Sequence, residues 1–177
     1  MSLVYISSIA AASSATISFT DIDDAYNEYH FYFINMHPQT DSVYPKFQAS
    51  VNNGSGYGID TSTSYARADK PEADSGGTLA YVAGYDSTAD TGLIQMAEDT
   101  GSDADQCWNG VMKLFNPSST VYVKHFTIES QGSNGGNISN HQLIGGYVNT
   151  ASAVDAIQFS FHSGNIQSGT IHLYGVK

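Results

Sequence analysis

The chain has 177 residues, with six Lys or Arg against seventeen Asp or Glu and a formal net charge of −11. A surface of that sign repels phosphate backbones and anionic lipid, so nucleic-acid and membrane-surface roles are disfavoured. The length suits one domain, residues 1–177, able to bury roughly two thirds of its unfolded surface without disulfides or metal, and a single cysteine, Cys107, cannot bridge internally.

Leu3 to Ala12 is apolar enough to imitate a signal-peptide core, with Ala10-Ala11-Ala12 as a mock cleavage site. No Lys or Arg precedes it and Ser and Tyr interrupt it, so it reads as a first strand, Leu3 to Ile9. Further strands are expected at Ala15 to Thr20, Tyr29 to Met36, Lys46 to Val51, Gly58 to Tyr65, Thr78 to Gly84, Gln106 to Phe115, Val121 to Glu129, Gln142 to Asn149, Ala156 to His162 and Thr170 to Val176. β-branched and aromatic residues crowd these segments, and Gly, Asn, Ser or Asp clusters separate them, a rhythm that points to an all-β sandwich or barrel.

The two-residue period assigns faces. Ile157, Phe159 and Phe161 share one face, opposite Gln158 and Ser160. Trp108, Met112 and Leu114 share another, with Gly110 a bulge or a point of close backbone approach. Phe126 and Ile128 fall with Tyr122 and Lys124, and Val121, Val123 and His125 take the other side. At the C-terminal end, Ser163-Gly164-Asn165 and Ser168-Gly169 supply turn chemistry, after which Thr170, His172 and Tyr174 alternate with Ile171, Leu173 and Gly175. Lys70 to Ser75 and Asp86 to Asp105 are the least strand-like stretches. The second is a loop-rich excursion around 86–105 with a short ordered run, Leu93-Ile94-Gln95-Met96, and long loops of this kind are where partner contact is expected.

Asp99-x-Gly101-x-Asp103-x-Asp105 and Asp21-x-Asp23-Asp24 resemble calcium loops, but neither has EF-hand spacing, and solvated turn carboxylates are the plainer explanation. His30, His37, His125, His141, His162 and His172 show no zinc spacing and no Gly-x-Ser-x-Gly elbow accompanies them; His30, His125, His162 and His172 fall at strand positions, where cross-strand packing or a hydrogen bond is the expected use. Cys107, beside Trp108 in a strand, is expected to be buried. Gly54-Ser55-Gly56-Tyr57-Gly58 lacks the following helix and the Lys of a phosphate loop and reads as a hairpin turn. Glu28 and Glu129 would serve a polysaccharide hydrolase only if they lay ~5–10 Å apart. No catalytic residue, cofactor or metal ligand is assigned. Twelve tyrosines remain, and those in or near loops, Tyr44, Tyr57, Tyr65 and Tyr85, are the candidate interface residues, because a phenol combines a stacking face with a hydroxyl.

Three stretches taken together carry a resemblance: Leu114 to Phe126 (Leu-Phe-Asn-Pro-Ser-Ser-Thr-Val-Tyr-Val-Lys-His-Phe), Gly146 to Phe159, and Ser163-Gly164-Asn165-Ile166 followed by Gly169-Thr170-Ile171-His172-Leu173-Tyr174-Gly175. They resemble a group of small virion proteins of tailed bacteriophages, common among marine and cyanobacterial phages. The opening Ser2 to Ile9 and Tyr32-Phe33-Ile34-Asn35 fit as well, and the likeness is weakest between about Gly54 and Asp105. The shared motifs are strands and turns, so no functional residue is carried over. The resemblance implies a jelly-roll-like antiparallel β-sandwich without enzymatic activity, resident in the virion after assembly in the host bacterial cytoplasm. The resemblance leaves the place on the particle open; the role expected first is a capsid decoration or cement protein, a homo-oligomer with a trimer favoured, bound to the major capsid protein or other virion proteins. The alternative is a tail-associated fibre or tip protein that binds host-surface glycan.

Overall fold

The computed structural model describes residues 2–20 and 22–176. Asp21, the first carboxylate of the acidic triplet with Asp23 and Asp24, lies outside them. The chain forms β1 (Leu3–Ala10), β2 (Ile17–Phe19), β3 (Glu28–Pro38), β4 (Pro45–Ser50), β5 (Thr61–Pro71), β6 (Thr78–Tyr81), a 3-10 turn (Ala83–Tyr85), β7 (Ile94–Gln95), β8 (Trp108–Phe115), β9 (Lys124–Ser133), β10 (Ile138–Val148), β11 (Ala156–Phe161) and β12 (Ile166–Val176). Strands pair antiparallel in an eight-stranded sheet of order β1-β12-β3-β8-β9-β10-β5-β6 and a four-stranded sheet of order β2-β11-β4-β7.

Setting aside β5, β6, β9 and β10 leaves β1-β12-β3-β8 packed on β2-β11-β4-β7, which is the strand order of a jelly roll. The expected sandwich is therefore present, with two additions. β5 and β6, inserted between β4 and β7, and β9 and β10, inserted between β8 and β11, widen the large sheet beyond the small one.

The apolar stripes explain the packing. Tyr29, Phe31 and Phe33 on β3, Ile171 and Leu173 on β12, Trp108, Met112 and Leu114 on β8, and Phe126 and Ile128 on β9 are buried. They face Ile17 and Phe19 on β2, Phe47 on β4, and Ile157, Phe159 and Phe161 on β11. Phe159 sits edge-on to Phe31 and Phe33 at 5.2 and 5.0 Å, and Phe47 to Phe126 at 5.0 Å, so the sheets interlock through aromatic rings. Burying each ring stabilises the fold by roughly 2–3 kcal/mol. Gly110 is a point of close approach, since a Cβ there would lie 2.8 Å from the Glu129 carbonyl oxygen and from Ser130 Cβ.

Several boundaries depart from expectation for identifiable reasons. β5 runs on past Tyr65 to Pro71 despite its charged residues, because every residue from Thr61 to Pro71 is paired with β10 between Val148 and Ile138. β9 starts at Lys124, leaving Val121 and Tyr122 exposed in the preceding loop. β12 starts at Ile166, and Gly169 (φ 119°) is a bulge inside it rather than a turn before it. Gly54 to Gly58 is no hairpin: it joins β4 of the small sheet to β5 of the large one. The excursion at 86–105 is not an exposed loop throughout. β7 pairs with β4, Asp90 and Thr100 bridge to Thr61 and Val43, and Ile94, Met96 and Ala97 are buried. It lies across the inner face of the widened sheet where the small sheet does not reach, as shown by contacts of Met96 and Glu98 with Ser130 and Asn140.

Candidate functional site

With the inner faces closed, the outer face of the eight-stranded sheet is the largest accessible feature. Alternation places on it every residue opposite the core stripes. One cross-strand row runs Tyr81, Ala66, Leu143, Glu129, Val111, Tyr32, His172 and Ser8. The next runs Ser64, Gly145, Thr127, Lys113, His30, Tyr174 and Tyr5. Eight strands spaced ~4.8 Å apart make this face about 34 Å wide.

Its chemistry is aromatic, imidazole-rich and sparingly charged. Tyr174 meets Tyr5 and Tyr32 edge-on at 5.6 and 5.5 Å. His30 and His172 lie beside them, and His30 Nε2 is bonded to the Glu28 carboxylate. His125 packs against Tyr147 at 6.0 Å, and His141 Nε2 is 3.8 Å from Glu129 Oε1. Tyr5, Tyr81, Leu79 and Leu143 are each more than half exposed. A shallow trough of about 290 Å³ lined by Val111, Lys113, Thr127, Glu129, Leu143 and Gly145 crosses the middle of the face. The trough is open because Gly145 has no side chain and nothing approaches within 4 Å of where a Cβ would stand.

A second polar group lies on the inner face beneath the excursion. Arg67 Nε is 2.7 Å from Asp69 Oδ2, and its guanidinium also meets Glu98. Asn140 Nδ2 donates to Asp69 and Glu98 at 3.1 Å each. The Arg67 guanidinium stands 5.7 Å over the Tyr85 ring, which packs edge-on against Tyr65 at 5.3 Å. Burial pushes the Glu98 carboxyl above its usual range, against the pull of Arg67. Burial disfavours the Arg67 charge, yet Glu98 and Asp69 outweigh it and hold the guanidinium pKa above its ordinary value. This is an ion network sealing the uncovered end of the core.

The expected interface tyrosines do not converge. Tyr44 stacks flat on His162 at 4.1 Å, and its backbone N–H donates to His162 Nδ1. Tyr57 folds back over its own turn, its hydroxyl 3.1 Å from where a Cβ on Gly54 would stand. Tyr85 is half-buried against Arg67. Tyr65 is a correction: it is fully buried and belongs to the core, so it presents nothing to a partner. The exposed tyrosines on the sheet face, Tyr5, Tyr81 and Tyr147, were not singled out from the sequence, although the strand alternation that put Tyr174 opposite Ile171 and Leu173 extends to them across the ladder.

His30 bonds Glu28, His162 stacks on Tyr44 and accepts from its N–H, and His125 and His172 pack against Tyr147 and Tyr174, whereas the buried Nδ1 atoms of His30 and His172 have no hydrogen-bond partner among the described residues. Cys107 is only half-buried, its sulfur accepting from Asn109 Nδ2 at 3.3 Å. Glu28 and Glu129 both face outward, but β8 separates them, and their partners Phe115 and Val111 sit four positions apart along it. That offset puts the carboxylates roughly 16 Å apart, too far for glycosidase chemistry. Among the described residues no three His, Cys, Asp or Glu side chains converge to hold a metal ion. Asp41, in the β3–β4 connection, accepts from the Ser102 backbone N–H and the Ser42 hydroxyl, which hold its carboxyl below the usual range.

Fold and surface together define an antiparallel β-sandwich of jelly-roll order whose main accessible feature is one broad sheet face. Compared with family models, curated proteins and solved structures, the chain matches none.

Proposed function

We propose that this protein is a non-enzymatic structural component of a tailed-phage virion, a capsid decoration or cement protein that stabilises the head as a symmetric homo-oligomer. The observation that carries the proposal is the outer face of the large sheet. About 34 Å across eight strands by ~24 Å along seven residues gives roughly 800 Å², the area each partner contributes to a standard protein interface. The face has exposed aromatic and aliphatic side chains, few charges and a shallow open trough, which suits a protein surface better than a small substrate. The jelly-roll order and the sequence resemblance support the same role, since this architecture recurs in viral shells, although fold alone does not fix function.

The mechanism is mass action. A clamp that binds only the expanded shell stabilises it by about 2.7 kcal/mol per site at a hundredfold excess over the dissociation constant. Partners are the major capsid protein or other virion proteins; the charge of −11 argues against nucleic acid and anionic membrane. Heads lacking the protein are expected to burst at lower temperature than complete heads. An unchanged bursting temperature would count against a cement role.

The cluster of Tyr5, Tyr174 and Tyr32 beside His30 and His172 favours one alternative, a tail-associated fibre or tip protein that binds host-surface glycan. Saturable binding of the isolated protein to host envelope sugars is its requirement, and absence of such binding ends it.

A further inference from the structure

The two sheets have four edges, and three of them are short: β6 has four residues, β2 three and β7 two. The fourth, β1, has eight residues, Leu-Val-Tyr-Ile-Ser-Ser-Ile-Ala, with one side paired to β12 and the other open. Soluble proteins protect a long edge with Lys, Pro, inward charges or a covering loop. β1 has no charged residue and no Pro, and Leu3, Val4 and Tyr5 are exposed. Its one irregularity is the bulge at Ile6, which leaves Ser7 to Ala10 as a regular stretch.

The charge distribution sets this flank apart. Asp, Glu, Lys and Arg are all absent between Ser2 and Thr20 and between Ala156 and Val176. Those segments are β1, β2, β11 and β12, which form the same side of the sandwich, β1-β12 over β2-β11. The sixteen described Asp and Glu residues all fall outside these segments, and Glu28, opposite Val176 and two strands in from Leu3, is the first met across the large sheet. Two copies of a chain with net charge −11 repel each other over most approaches. The strands of this flank bring no like charges of their own together.

We infer that the β1 edge is a self-association surface, where two copies pair β1 to β1 antiparallel about a twofold axis and join their large sheets into one. The axis is perpendicular to the sheet, so each residue meets one of the same face in the second copy. With the axis at Ser8, Ser8 faces its own copy, and Ser7 faces Ile9. No like charges are brought together, and the backbone groups left open on β1 gain partners. Such an isologous pair differs from the trimer expected from the sequence. It requires no other virion protein, so it stands independently of the cement proposal.

The test is the mass of the purified full chain by light scattering after size exclusion, across concentrations up to millimolar, together with hydrogen exchange of the β1 amides. Twice the mass of one chain is expected, with β1 amides more protected at high than at low concentration. Ser8→Glu places carboxylates face to face at the axis, and Ala10→Glu places one nearby. Each is expected to raise the dissociation constant at least about tenfold while leaving the far-UV spectrum and melting temperature of the monomer unchanged. A wild-type chain that stays monomeric throughout, one that forms trimers, or a dimer unmoved by both variants would overturn the inference.

Discussion

Gly145 and Gly146 are adjacent on β10 and face opposite sides of the large sheet, so the same substitution should have opposite results at the two positions. A Cβ on Gly146 would fall 2.5 Å from the Ser62 carbonyl oxygen, 2.7 Å from Phe126 Cζ and 2.9 Å from Thr63 Cγ2. The first of these is backbone, in a residue whose neighbours are held in the β5–β10 ladder, and the second is a buried core ring. Neither can withdraw without moving a strand, so Gly146→Ala should cost about 3 kcal/mol, at the upper end for overpacking. For a domain of this size that is a fall of roughly 10 °C in melting temperature. Gly145→Ala meets nothing within 4 Å and restricts the unfolded chain, so it should be neutral or stabilise by about 0.5 kcal/mol. Thermal melts by circular dichroism, supported by urea titration, read both. Equal losses at the two positions, or a larger loss at Gly145, would refute the assignment of the outer face and with it the surface on which the functional proposal rests.

Lys124 is fully buried, with its ammonium donating to the carbonyls of Tyr122 at 2.6 Å and Thr150 at 3.0 Å. Lys124→Ala should cost about 3 kcal/mol by removing packing and both bonds, whereas Lys124→Met, which keeps the stem and removes a charge that burial disfavours, should cost about 1 kcal/mol. Equal costs in chemical denaturation would contradict that division. Stability should also peak at mildly acidic pH. Burial raises the pKa of Glu98 and of Asp99, so the native state holds protons the unfolded chain releases, and that stabilisation is complete below the ordinary carboxylate range and lost as pH rises through the raised values. Asp23 is lowered by its bond from the Tyr29 hydroxyl and Asp41 by the Ser102 N–H, so their contribution is present above the ordinary carboxylate range and lost as pH falls through the lowered values. The melting temperature is therefore expected to be highest at about pH 4–5, and Glu98→Gln should flatten the decline toward neutral pH. A melting temperature that climbs steadily from pH 4 to 7 would show that another group dominates.

How much of this was legible in the sequence depended on whether a strand obeyed the rule that apolar residues point inward. Ile157, Phe159 and Phe161, or Trp108, Met112 and Leu114, alternate cleanly and were placed correctly. β5 broke the rule, because Arg67 and Asp69 point inward with Tyr65 to meet Glu98 and Asn140, and a buried ion network reads in sequence as a polar loop. The same cause hid the burial of Tyr65. That Lys124 shares a face with Phe126 and Ile128 was apparent from spacing; that its head is buried depended on the carbonyls of Tyr122 and Thr150, the latter remote in sequence. The glycine-rich link after β4 looked like a hairpin because turn chemistry is local, while the choice of sheet for the next strand is not. The broad outer face was invisible for a related reason: single strands show which residues point outward, but only the ladder register sets Tyr5 opposite Tyr174 and brings Tyr32 into the adjoining row.

The central claim is that this chain coats a capsid, and the most direct test is its copy number per purified virion relative to the major capsid protein, by quantitative mass spectrometry with labelled peptide standards. A large, fixed fraction of the capsid count is expected for a cement protein occupying repeated sites on the shell. A handful of copies per particle would contradict that role and move the protein to the tail.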